Sequence, residues 1–169
     1  MRVYVPATWP MLRRLVHKGE LEALGGTAFA LTPALREHFA DGDDEELEYA
    51  AMSEAARASL RLLAVELGVA EQGTPARRVV VAADVDGATP RPDLDIAAVR
   101  LAGPVPLEAV AAVHVDDEDA EYAVRQAASA VDAADVGDMD AEFLVGEAED
   151  HELLWYAPSE LRYLVDVGG

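Results

Sequence analysis

Three groups of side chains in this sequence have residue types and spacing that could do chemistry. His114 and Asp116 lie two residues apart at the end of a β-type run, so their side chains share one face. Asp84 and Asp86 hold the corresponding place at the end of another such run. An imidazole beside carboxylates can move a proton or hold a cation. In open α/β sheets, ligands bind outside the carboxyl ends of parallel strands. Parallel neighbours would therefore gather these four groups in one crevice, whereas antiparallel neighbours would send them to opposite edges. The plainer account, which we prefer, is that Asp84, Asp86 and Asp116 only make turns and helix caps.

The second group is Glu147 and His151, four residues apart within the acidic run Glu147 to Glu152. That spacing puts two metal ligands on one helical face. The pair lacks the second histidine and the general base of zinc motifs. A histidine at a helix C-terminus is also favourable for dipole reasons alone. A third, lesser candidate is Thr8 at a strand-to-helix junction, where Arg13 and Arg14 could help hold a phosphate or carboxylate. Thr8 as an ordinary N-cap accounts for it as well.

Other chemistry is excluded more firmly. The 169 residues contain no cysteine, so disulfides, thiolate metal sites and cysteine nucleophiles are absent. No glycine-rich loop marks a nucleotide site, and no cofactor is expected. No serine lies in a G-x-S-x-G elbow. The DVDG turn at 84–87 resembles part of a calcium loop, but Ala82 and Asp93 occupy its first and last ligand positions.

Charge bounds the partners. Thirty-three acids against thirteen bases give −20. Nucleic acid and anionic membranes are disfavoured, because phosphates would be repelled. The acids are uneven: residues 1–40 hold five bases and three acids, residues 111–169 two bases and sixteen acids. Such an excess is first of all a solubility device, and second a surface that could dock a basic protein partner. Nothing in the sequence points to an oligomeric state. Twelve of the thirteen bases are arginine and alanine is abundant, a bias typical of a GC-rich genome. The start, MRVYVPATWP, has no signal-peptide hydrophobic region, and no apolar run is long enough to span a membrane, so a cytoplasmic protein is expected.

The elements that would position these groups follow from periodicity. The length and 51% apolar content suit one globular domain, 1–169, able to bury about two-thirds of its unfolded surface. The clearest unit is 109–134, AVAAVHVDDEDAEYAVRQAASAVDAA. Val113 and Val115 face one side of a strand, Ala112 and His114 the other. The run Asp116 to Asp119 opens a helix, where carboxylates suit the positive dipole end. Ala120, Val124, Ala127, Val131 and Ala134 then form one apolar stripe.

Elsewhere, Val3–Val5 reads as a strand ended by Pro6, and a helix runs from Thr8 to about Gly19. TAFALT at 27–32 is a short strand, and Thr32-Pro33 are N-cap and first residue of another helix. Residues 2–31 would then form a βαβ unit with a right-handed crossover. The longest helix, 44–67, carries the stripe Leu47, Ala51, Ala55, Ala58, Leu62 and Val65, with Gly68 and EQGTPAR ending it. Strands are expected at 77–85, 95–101 and 153–157, a loop at 86–94, and helices at 138–150 and 159–165. The rings of Trp155 and Tyr156 on opposite faces suggest a core strand covered on both sides, with an exposed docking edge as the alternative; Tyr163 belongs to the same aromatic group. The fold class is α/β or α+β, with a mixed sheet of five or six strands and packed helices.

Three segments, MRVYVPAT, VHVDDEDAEYAV and EDHELLWYAPSEL, resemble an uncharacterised family of small actinobacterial proteins. The resemblance spans both ends and the middle of the chain. It implies a bacterial cytosolic origin and adds no mechanism. The functional expectation is a non-enzymatic binding or regulatory domain with an acidic interaction surface. The competing class is a small metal-dependent or acid/base enzyme using the strand-end His/Asp cluster.

Overall fold

A computed structural model describes residues 1–69 and 74–168 of the chain. The first strand, β1 (Arg2–Ala7), leads into α1 (Trp9–Lys18), which Gly19 ends at φ 80°, a left-handed conformation that glycine adopts without strain. The two-residue β2 (Glu20–Leu21) and β3 (Thr27–Ala30) follow. Thr32 caps α2 (Pro33–His38) by accepting from Leu35 N–H at 3.1 Å. The long α3 (Asp44–Val69) opens on three carboxylates at its positive end. Next come β4 (Val79–Asp84), β5 (Thr89–Pro90), β6 (Ala98–Arg100), β7 (Val105–Pro106) and β8 (Val110–Val115). A 3₁₀ turn then leads into α4 (Glu121–Asp135), and α5 (Met139–Glu149), β9 (Leu154–Tyr156) and α6 (Leu161–Gly168) complete the chain.

Seven strands form one sheet in the order β5-β6-β3-β1-β4-β8-β9, with every neighbouring pair antiparallel. β2 and β7 form a separate two-stranded ribbon. The fold is therefore α+β, and its sheet is larger than the expected five or six strands and is not mixed. The βαβ unit expected over 2–31 is corrected too. β1 and β3 are antiparallel neighbours, because α1 and the β2 excursion return the chain in the opposite direction. Pro6 does not end β1; it pairs opposite Val80 of β4. Pairing with β3 stops at Tyr4, so that side of the strand has room for a residue without an N–H.

Both faces of the sheet are covered. Val3, Val5, Val79, Val81, Val113 and Val115 meet Trp9, Leu12 and Leu15 of α1 and Leu161 and Val165 of α6. The opposite faces of the same strands, with Tyr4, Phe29, Val80 and Ala112, meet Leu35 of α2 and Leu47, Ala51 and Ala55 of α3. A further core joins Leu60 and Leu63 of α3 to α4 and α5, and most of its residues are alanines. The stripe Ala120, Val124, Ala127, Val131 and Ala134 is buried in full, as its spacing predicts. The α3 stripe is only half right: Leu47, Ala51 and Ala55 are buried, but Val65 is 66% exposed. Over 26 residues, α3 changes neighbours from the sheet to α4, so the buried face turns and no single stripe describes it. Gly68 is helical rather than terminal, and the Glu71–Gly73 part of the expected loop lies outside the described residues.

Candidate functional site

The direction of β4 against β8 decides where the strand-end groups go. The two strands are antiparallel with Val79 opposite Val115 and Ala82 opposite Ala112, followed by a shift that sets Ala83 opposite Val110. Asp84 therefore ends β4 at one edge of the layer and Asp116 follows β8 at the other, roughly 20 Å apart at ~3.3 Å per residue. Asp84 is exposed and bonded to Arg2 at 2.8 and 3.1 Å, and this partner holds its carboxyl below the usual range. Asp86 is exposed on the following turn. The four groups do not converge.

His114 keeps its expected face and stands opposite Val80 on one side and Trp155 of β9 on the other. It is half-buried. Burial, and after it the positive charge of Arg2, pushes its imidazole below the ordinary value of 6.5. Asp116 goes to a different partner. It is buried and meets Arg78, also buried, in a two-pronged ion pair with both contacts at 2.8 Å. The Arg78 backbone N–H adds a bond to the same carboxylate at 2.7 Å. The pair is the side-chain continuation of the β4–β8 ladder, since Asp116 N–H also donates to Arg78 O.

Arg78 reaches one step further and donates to His151 O at 2.8 Å. Two candidates that are 35 residues apart in sequence, Asp116 and His151, are thereby joined through an arginine that no motif or spacing singles out. The register 79 to 115 implies the pairing 78 to 116, so the signal existed but needed the register. Both oxygens of the Asp116 carboxylate are engaged in these contacts.

The end of α5 falls between Glu147 and His151: the helix stops at Glu149, and His151 N–H closes a turn onto Ala148 O in place of the helical bond to Glu147 O. Glu147 is exposed. Among the described residues no group of three or more His, Asp or Glu side chains could hold a metal ion. The Thr8 site is corrected as well: Thr8 is buried and its hydroxyl donates to Glu66 Oε1 at 2.7 Å, which sets a carboxylate where an anion would have to enter. Ser59, which has no motif to announce it, is a buried bridge. It donates to Ala7 O at 2.7 Å and accepts from Val79 N–H at 3.1 Å, tying α3 to the ends of β1 and β4.

Two open clefts flank the Arg78–Asp116 pair. One, of about 450 Å³, lies between the 116–118 turn and α6, and is lined by Asp117, Glu118, Tyr156, Glu160 and Tyr163, with Arg77 beside them. Arg77 is held by Glu121 at 3.1 Å, with its guanidinium 5.4 Å from the centre of the Trp9 ring. The other, of about 360 Å³, lies between α3 and the 149–153 segment and contains Ser53, Arg57, Arg78, Glu149 and His151. Its Arg57 is already paired with Asp135 and Glu142.

Residues 1–165, nearly the whole described chain, match a family of unknown function, DUF6912. The chain belongs to this family. No curated protein and no solved structure matches it. Membership of DUF6912 thus supports the expectation of an uncharacterised family and carries no activity with it. No helix among the described residues is long and apolar enough to cross a membrane.

Proposed function

We propose that this protein is a non-enzymatic binding domain of the bacterial cytoplasm, whose acidic second half engages a basic protein partner. The observation that carries this reading is the dispersal of the strand-end groups. An acid/base or metal-dependent enzyme would need His114, Asp116, Asp84 and Asp86 within reach of one substrate. Instead Asp84 is bound to Arg2, Asp116 is consumed by Arg78, and His114 faces Trp155. Meanwhile Asp117, Glu118 and Glu160 line an open cleft together with two tyrosines, a surface suited to cationic side chains.

A second reading keeps the charge for solubility and makes the partner surface apolar. Val136, Met139 and Phe143, exposed by 86, 85 and 67% at the α4–α5 corner, favour it. Backbone amide shifts recorded while a lysine–arginine heptapeptide is titrated at low and high salt separate the two. The basic-partner reading expects shifts concentrated in residues 111–166, with affinity falling as salt rises. Weak shifts spread evenly over the chain would overturn it and leave the acids as a solubility device.

A further inference from the structure

An open seven-stranded sheet has two edges, and this one treats them differently. One edge is β5, only two residues long and ending in Pro90, which has no N–H to offer an incoming strand. The other is β9, Leu154-Trp155-Tyr156, which carries none of the proline or lysine that commonly guards an edge. Its residues pair with β8 on one side, and among the described residues they make no other backbone hydrogen bond. The extended backbone continues into Ala157 at φ −73° and ψ 153°, where the open edge stops, because Glu160 takes both the Ala157 N–H and its C=O. Leu154 and Trp155, on opposite faces of the strand, are 42 and 60% exposed.

We infer that β9 is a docking strand that takes an extended basic segment of another protein as an eighth strand of the sheet. The inference rests on the basic-partner reading above and adds the place and the mode. Charge complementarity selects the occupant. Asp150 and Glu152 precede the strand and Glu160 follows it, with no lysine or arginine between 149 and 160; Glu149 adds less, because Arg57 lies 3.9 Å from it. Beside it opens the cleft with Asp117, Glu118, Tyr156 and Tyr163, where carboxylates and ring faces together suit a guanidinium or ammonium group. Arg77 does not cancel this field, because Glu121 already neutralises it. A second copy of the chain is the poorer occupant: it would bring −20 against −20 and set the same acidic flanks against each other. Main-chain bonds would supply affinity for any extended segment, and the carboxylates would choose a basic one.

The test uses the full chain and a fluorescent seven-residue peptide of alternating arginine and valine, followed by anisotropy. Two further versions are N-methylated on the arginine amides or on the valine amides, which strips N–H groups from one strand edge at a time. The parent peptide is expected to bind, and one methylated version to bind about tenfold more weakly while the other binds like the parent. Trp155→Ser, at an exposed position and checked for unchanged thermal unfolding, should weaken the parent severalfold. A glutamate–valine peptide should not bind. If all three basic peptides bind alike, with amide shifts away from β9, the docking strand is wrong and the basic-partner reading survives. If none of them binds, and the lysine–arginine heptapeptide also fails, both readings fall. Concentration-dependent dimerisation abolished by Trp155→Ser would give the edge to a second copy and overturn the inference.

Discussion

Arg78 and Asp116 face each other across the ends of antiparallel β4 and β8, and their guanidinium–carboxylate pair is buried with two contacts of 2.8 Å. The pair also holds the turn after α5 through His151 O, so a single arginine joins two strands to a helix end. Desolvating two charges is costly, and only good geometry with further hydrogen bonds offsets that cost. Here Asp116 accepts three bonds and Arg78 donates to a carbonyl as well.

Removing one partner leaves the other charge buried and alone. Asp116→Ala should therefore cost about 3–5 kcal/mol, measured by urea unfolding. The double variant Arg78→Met with Asp116→Leu should recover most of that loss. A cost below about 1 kcal/mol for Asp116→Ala would mean that the pair is not desolvated in solution.

His114 makes stability depend on pH. Burial lowers its folded-state pKa below 6.5, so the neutral ring is favoured more in the folded chain than in the unfolded one. Its contribution is complete above about 6.5 and is lost as pH falls below that value toward the lowered folded pKa. Glu54 has the opposite sign. Burial, then the nearby Asp95, raises its carboxyl above 4.5, so its contribution is present below 4.5 and is lost as pH rises through the raised value. His114→Gln should flatten the dependence just below pH 6.5 and leave the acid limb unchanged. Proton NMR of the His114 ring checks this directly; titration at or above 6.5 would contradict it.

Ser59 offers a test of a buried hydroxyl. With its bonds to Ala7 O and Val79 N–H lost, Ser59→Ala should destabilise the fold by about 1–3 kcal/mol. Ser129→Ala, at an exposed position on α4, should stay within about 0.5 kcal/mol. Equal effects of the two changes on chemical unfolding would remove the bridging role.

The alanine-rich contact of α3, α4 and α5 has little room for larger side chains. Ala127→Leu, at a fully buried position, should cost about 1–3 kcal/mol by overpacking. Ala133→Leu, exposed on the same helix, should be close to neutral. Thermal unfolding separates them, and a neutral Ala127→Leu would show that the helices can move apart freely.

What the sequence determined by itself is local. The α4 stripe, the Thr32-Pro33 helix start, the Gly19 stop and the two faces of β8 all follow from periodicity or from backbone preferences of single residues. These signals do not depend on what lies across the sheet. Strand direction does, and no residue in β4 or β8 states it: Val79 to Ala83 would be equally apolar in a parallel or an antiparallel neighbour. The tertiary structure alone sends Asp84 and Asp116 to opposite ends, and joins Asp116 to Arg78. It also turns Val65 outward and leaves Trp155 on an open edge instead of in a covered core. Pairing and register are set by the summed burial of residues far apart in the chain, so they become visible only when those residues meet.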